Sequence, residues 1–370
     1  MTLLLSAIAF VILLTLLIII HELGHYALAR FFRIDVEEFG FGLPPRAVVL
    51  FRRGMTLFTL NWVPFGGFVR LKGENEVDLE KRTEKGSFAA APHLHRIAIL
   101  AGGVMMNFLL AFALLTLGFS VGRWVPNSYT SIDELHEAAA RGDIFLETGV
   151  YISDVASESP AAAAGIMPDS AILSVDGTPV ATPEDVVRLQ QGRTRVVYRL
   201  VEGKEKTERS VTVTLRDGKA GLGLSPYAAK LSAPRRSFVA GVRLATRESV
   251  FMTVRTVEGI ASLMRSLVTR GRVPEGITGV VGIAVLTYSS VQEGFMTYLR
   301  LVALLSLSLA ILNILPLPAL DGGRLLFVIV EMIMRRPLNQ QFELLVNAAG
   351  FFLLITLIVI ITFNDVIHLF

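Results

Sequence analysis

The chain has 370 residues, 52% of them hydrophobic and only 18% charged, with a formal net charge of +3. That is too apolar for an ordinary soluble protein, and so small a net charge gives no electrostatic reason to expect a nucleic-acid partner. Cysteine is absent, which excludes disulfides, thiolate nucleophiles and sulfur ligands, so any bound metal must be held by His, Asp or Glu.

An uncharged run over residues 3–20 is long enough to cross about 30 Å of hydrocarbon. It has no basic leader and no small-residue cleavage site, so it is expected to persist as a span rather than be removed as a signal peptide. It leads directly into His21-Glu22-Leu23-Gly24-His25. On a helix, residues four apart lie about 40° from one another, so His21 and His25 point the same way and can share one metal. Glu22, about 100° round from His21, does not share that direction; it is placed to take a proton from an attacking water. A chance H-E-x-x-H is rarely found at the end of a span, where each ionisable group costs roughly 2.5–3.5 kcal/mol. The position points to a zinc hydrolase working at or within the bilayer.

Residues 36–73 read as β-rich, with Gly and Pro punctuation at 40–45, at Gly54 and at Pro64-Phe65-Gly66-Gly67. The stretch is too apolar for a free cytosolic hairpin. Either a β loop dips beside the helices with its backbone buried in protein, or an amphipathic hairpin lies on the membrane surface. A sheet edge over 61–69 would hold an extended peptide by strand addition, which makes Trp62, Phe65, Gly66 and Gly67 candidate substrate contacts. A second uncharged run, 97–119, contains Gly102-Gly103-Val104-Met105-Met106-Asn107. Small residues let helices approach closely and a buried Asn seeks a partner, so either packing alone or a direct part in the chemistry explains this element.

Residues 149–226 read as a small α+β binding module without a catalytic constellation. It holds strands near 150–152, 171–180, 195–201 and 210–215, and a helix over 182–190 capped by Thr182. Residues 235–268 have the pattern of an amphipathic helix for the outer membrane surface, and 277–290 are too few to span.

The third and fourth uncharged runs cover 301–320 and 344–363. Pro316 and Pro318 break the end of the third, and Asp321 follows at once. A catalytic zinc usually takes three protein ligands and a water, so Asp321 is the candidate third ligand; the other reading is an ordinary span terminus built of turn residues. Asn313, Pro316 and Pro318 on the unwound stretch are candidate substrate contacts, Asn313 alternatively satisfying a freed backbone group. Eleven Lys and Arg lie within 30–96 and three more within 324–337, whereas none precedes Arg30 or follows the fourth run. The positive-inside rule then puts both of those loops in the cytoplasm, both termini and the 149–226 module outside, and the metal motif towards the cytoplasmic face. Acidic residues interleave with the basic ones of the first loop, which fits a membrane-flanking segment and no nucleic-acid partner.

These motifs together resemble the site-2 protease family of intramembrane zinc metalloproteases. H-E-x-x-H in the first span and Asn313-Ile314-Leu315-Pro316-Leu317-Pro318-Ala319-Leu320-Asp321-Gly322 in the third carry the resemblance. Residues 64–73 look like the family's membrane-associated β loop, Gly103–Asn107 match its G-x-x-x-N element, and 149–227 are similar to its PDZ domain. The resemblance is nearest to the bacterial regulator-of-sigma-E proteases, which often carry two PDZ domains where this chain has room for one. It implies an α-helical polytopic membrane protein with four transmembrane helices, a membrane-associated β loop and one inserted extracytoplasmic PDZ domain.

The corresponding segments are 1–30 (first span with H-E-x-x-H), 31–95 (β loop region), 96–120 (second span), 121–230 (extracytoplasmic region with the PDZ domain), 231–297 (interfacial segment), 298–323 (third membrane region), 324–343 (cytoplasmic loop) and 344–365 (fourth span). The resemblance further implies one Zn2+ held by His21, His25 and Asp321, with Glu22 as base. It places the protein in a bacterial inner membrane, where its substrates are transmembrane proteins, such as anti-sigma factors or remnant signal peptides, already cut by another protease. Two rivals are a membrane zincin with a cytosolic active site, in which Asp321 is dispensable, and a non-enzymatic PDZ membrane adaptor, in which Glu22 is.

Overall fold

A computed structural model describes residues 2–74, 80, 83–202, 207–274 and 276–367, without the side chains of Thr2, Pro64 and Phe65. The chain divides into two compact units, Met1–Gly118 with Ser237–Phe370, and Phe119–Arg236. Among the described residues four helices are long and apolar enough to cross a membrane: Leu3–Phe31, His93–Ser120, Phe295–Ile314 and Gln340–Ile367. Large apolar side chains such as Leu3, Leu109, Phe352 and Val359 stand exposed on them, as expected where lipid is the solvent.

Helix α1 (Thr2–Phe31) holds no proline, so one hydrogen-bond ladder runs unbroken from the apolar stretch through the H-E-x-x-H segment. Strands β1 (Val36–Arg53) and β2 (Thr56–Leu71) follow. Each strand bends and pairs twice. Residues 36–41 are flanked on one side by 67–71, antiparallel, and on the other by 57–60, with residue numbers rising together. The 56–61 stretch then pairs with 46–53. Two bent strands therefore make four ribbons, with 67–71 at one edge and 46–53 at the other. Buried Glu38 ties the ribbons together. It accepts from Arg46 Nη2 at 2.7 Å, Arg46 Nε at 3.0 Å and Thr59 Oγ1 at 2.8 Å. Burial pushes its carboxyl up, but the bonds from Arg46 and Thr59 outweigh this and hold it below the usual range.

Helix α2 (His93–Ser120) meets α1 at backbone contact. A Cβ added to Gly24 would stand 2.1 Å from the Gly102 carbonyl oxygen, and one on Gly102 would stand 2.7 Å from that of Gly24. Only two glycines allow this crossing.

The second unit holds α3 (Ile132–Ala140), β3 (Phe145–Val155), α4 (Pro160–Ala163), β4 (Ser170–Val175), β5 (Thr178–Pro179), α5 (Pro183–Gln190), β6 (Arg195–Glu202), β7 (Thr207–Thr214) and β8 (Leu222–Ser232). The strands form an antiparallel sheet in the order β7-β6-β4-β3-β8, with β5 beside β4. Its inner face buries Val150, Ile152, Ile172, Val196, Tyr198 and Leu200, against which Val186 of α5 packs. Thr182 caps α5 through a reciprocal pair with Asp185. The unit reaches beyond the 149–226 module because Ala138 of α3 joins Val125, Ile144 and Ala233 in a second small cluster.

Back in the first unit, α6 (Phe238–Arg270) leads to α7 (Val280–Glu293), α8 (Phe295–Ile314), α9 (Asp321–Met334) and α10 (Gln340–Ile367). Asp365 of α10 caps α7, accepting from the Gly279 and Gly282 N–H groups at 3.0 and 2.8 Å. The run expected to span over 301–320 is not one helix. It stops at Ile314, residues 315–320 are irregular, and α9 begins at Asp321. Two prolines remove donors there, and the chain folds back so tightly that a Cβ on Gly322 would lie 2.1 Å from the Leu315 carbonyl oxygen. Asn347 of α10 holds the bend by accepting from Ala319 N–H at 3.2 Å.

The start of α2 is fixed to α9 by a buried ion pair, Arg96 Nη1 to Glu331 Oε2 at 2.6 Å, while Glu331 Oε1 accepts from Leu338 N–H at 2.9 Å. Breaking one side of such a pair strands a buried charge. Arg96→Met is expected to lower stability by about 3–5 kcal/mol, and Arg96→Met with Glu331→Gln, which still accepts from Leu338, to recover most of it. Thermal unfolding in detergent measures both.

Candidate metal centre and catalytic site

The unbroken α1 delivers His21 and His25 one turn apart, and the fold-back of 315–320 delivers Asp321 at the start of α9. Asp321 Oδ2 lies 2.8 Å from His21 Nε2 and 3.3 Å from His25 Nε2, and the two imidazole nitrogens are 3.1 Å apart. Both histidines are buried. His25 Nδ1 donates to the Ile99 carbonyl oxygen of α2 at 2.8 Å, which leaves the Nε2 lone pair facing the other two atoms.

Three electron-rich atoms this close repel unless something positive lies between them; a ring proton relieves one contact at a time, whereas a single cation relieves all three. Ligand atoms held tetrahedrally at about 2.0–2.1 Å stand about 3.3 Å from one another. The observed edges of 2.8, 3.1 and 3.3 Å lie at or somewhat inside that spacing, and oxygen with imidazole nitrogen is a donor set that suits a divalent zinc-like ion. Gly103 makes room for it. A Cβ there would lie 2.5 Å from His25 Nε2 and 2.7 Å from His21 Nε2. His21, His25 and Asp321 are the group of donors, among the described residues, that could hold a metal ion.

Glu22 sits between two cavities. The larger, about 340 Å3, is lined by Glu22, His25, Asp321, Arg324 and the edge ribbon residues Phe68, Val69, Arg70 and Leu71. The smaller, about 220 Å3, is lined by His21, Glu22, Asn107, Asn313 and Asp321 among others. The Val69 backbone lies within reach of the Glu22 carboxylate. A Cβ on Gly67 would meet Glu22 Cγ at 3.5 Å and Ile18 Cγ2 at 3.3 Å. Among the described residues no strand pairs with the outer side of 67–71, so the edge open to a peptide is the one beside Glu22. Just past the ribbon, Glu74 pairs with Arg324 and so ties the end of the edge ribbon to α9. That pairing keeps the Arg324 guanidinium firmly charged.

The site residues expected from sequence therefore separate into groups. His21, Glu22, His25, Asp321, Asn313 and Gly67 come together. Trp62 is largely exposed and lines neither cavity. Gly66 serves a bend, with φ of 111° and Leu43 against it. Pro316 is exposed, and Pro318 lies against Gly350 of α10, so both shape the fold-back rather than the cavities. The side chain of Phe65 lies outside the described residues. Sequence reasoning missed the Ile99 carbonyl, the floor role of Gly103, and Arg324 with Glu74.

A family model described as peptidase family M50 matches residues 9–357. A protein of Mesorhizobium japonicum, provisionally named a zinc metalloprotease, is 30% identical over 382 residues, covering 97% of this chain and 98% of that protein. Provisionally named zinc metalloproteases of Rhizobium meliloti and Clostridium perfringens are each 28% identical, covering 98% and 95% of this chain and 96% and 95% of their own.

Gly103→Ala should displace both imidazoles while leaving the helices intact. Metal affinity is expected to fall by at least about ten-fold with unchanged helix content, as read by competitive chelator titration and circular dichroism.

Proposed function

The chain belongs to peptidase family M50, a family of membrane zinc metalloproteases, and from that premise we propose that it hydrolyses peptide bonds in or near the transmembrane segments of membrane proteins. The convergence of His21, His25 and Asp321 beside Glu22 and an open strand edge, at the end of an apolar span, carries this reading. His21, His25 and Asp321 would hold zinc, which when bound lowers the pKa of water and polarises a carbonyl.

The chain's own residues do the rest. Glu22 accepts the proton of the attacking water and returns it to the departing amine. A transmembrane helix hides its peptide bonds within its own ladder, so the substrate must unwind before it is cut. The 67–71 edge would receive the unwound segment as an added strand, laying it past Glu22. Asn313, in the same cavity as Glu22, would hold a substrate backbone group. Burial of the donors keeps bulk water away from competing with them.

The concentration of Lys and Arg within 30–96 and 324–337 supports an orientation with those segments in the cytoplasm and both termini outside, and the bacterial relatives support an inner-membrane setting. In this reading the 119–236 unit is an extracytoplasmic PDZ-type module. Strand β8 ends its sheet, leaving an edge for an extended ligand, and no catalytic group is ascribed to it. It would act as a filter that admits substrates whose outer domain has already been removed, anti-sigma factors and remnant signal peptides being the expected kind.

Glu22→Gln should lower cleavage of a membrane-embedded substrate by at least about 10²-fold while keeping the metal, as measured by turnover and elemental analysis of the same sample. The ends of the 119–236 unit are bridged by Ala233 N–H to the Arg123 carbonyl at 3.0 Å, so a short linker can replace residues 124–232. That deletion is expected to leave cleavage of trimmed substrates intact and to admit untrimmed ones. If trimmed substrate is cut more slowly and untrimmed substrate is still refused, the module recruits rather than filters.

A further inference from the structure

Asn107 is fully buried in α2, yet neither its Oδ1 nor its Nδ2 has a partner. A buried amide with both groups unpaired destabilises a fold and calls for an explanation. Its backbone is fixed: the Asn107 carbonyl accepts from Ser306 Oγ of α8 at 2.8 Å. Asn107 is among the residues that line the smaller cavity, with Glu22, Asn313 and Asp321. It stands one helical turn beyond Gly103, on the face of α2 that meets the imidazoles.

We propose that Asn107 is a substrate-binding residue, its amide pairing with the C=O and N–H of an unwound substrate backbone in that cavity. An amide carries one acceptor oxygen and two N–H donors, which is what an extended residue offers in complementary form. The competing use is to orient His21, whose Nδ1 is also unpaired. That bond would occupy the oxygen alone and leave the NH2 stranded, and no such bond is made. Together with Asn313 of α8, Asn107 gives the cavity two amides from different helices, each able to pair with a substrate backbone. This inference rests on the protease reading of the site.

The test uses full-length, zinc-loaded protein in phosphatidylcholine bilayers. Its probe is a synthetic single-span peptide with a helix-breaking Gly-Pro pair at its centre. Binding is compared between Glu22→Gln and Glu22→Gln with Asn107→Leu, so no cleavage is needed to read it. The expected result is about ten-fold weaker binding for the double variant, with unchanged zinc content and a melting temperature equal or higher, because a stranded polar group has left the core. With Glu22 intact, Asn107→Leu should raise KM more than it lowers kcat. Asn107→Ala, which removes rather than replaces volume, should repeat the loss of binding. Unchanged affinity in both variants overturns the proposal. Loss of zinc on substitution also overturns it, and assigns Asn107 to orienting His21. A probe that fails to bind Glu22→Gln counts against the cavity as a substrate site altogether. If the wild type cuts nothing while the binding difference persists, the protease reading fails and the assignment of Asn107 as a binding residue stands.

Discussion

Everything in the first unit is arranged around three electron-rich atoms held within 3.3 Å of one another in a buried site. Without a positive charge between them they repel, and a bound dication would be the largest local charge at the site. Several otherwise costly features follow from that demand. The backbones of α1 and α2 touch at Gly24 and Gly102, and Gly103 leaves the metal's space free of a side chain. The third apolar run gives up six residues of helix over 315–320 to start α9 with Asp321 in place. The Ile99 carbonyl fixes which nitrogen of His25 faces inward.

In the proposed function a second constraint is that a peptide bond must reach this site in extended form. The doubled-back β1–β2 sheet would supply the means. Its 67–71 ribbon has one side paired and the other turned to Glu22; the Glu38 cluster links the ribbons, and Val36 and Leu71 join a buried apolar cluster with Ala29, Phe88 and Ile99. Glu74 with Arg324 then links the end of this ribbon to the helix that begins with Asp321, so the proposed peptide platform and the candidate metal donors are tied together. An arrangement in which substrate register and donor geometry are fixed to each other is what orientation effects in catalysis require.

How much of this the sequence disclosed depends on the range of the interactions. His21, Glu22 and His25 were legible because a single helical period relates them. Asp321 was legible because an acid after a proline-broken apolar run needs a reason to be there. The four-ribbon sheet was not, since each strand pairs twice and no local pattern encodes a second register. Trp62 illustrates the consequence: its place in a β-rich stretch suggested a substrate contact, but the ribbon that faces Glu22 begins five residues later. Pro316 and Pro318 were correctly seen as helix breakers, whereas their distance from the cavities depends on how tightly Gly322, Gly323 and Gly350 let the bend close. Gly103 could be read only as a small residue for packing until the crossing point of α1 and α2 was known.

The central claim is that imidazole from α1 and a carboxylate from α9 hold one zinc ion. X-ray absorption at the zinc edge, on protein purified from membranes without chelators, tests it most directly when wild type is compared with Asp321→Asn. The expected result is one zinc per chain in the wild type, a first shell of light atoms at about 2.0–2.2 Å with the outer-shell scattering of two imidazoles, and loss of metal or of that shell in the variant. A wild-type spectrum without imidazole, or one that Asp321→Asn leaves unchanged, would contradict it.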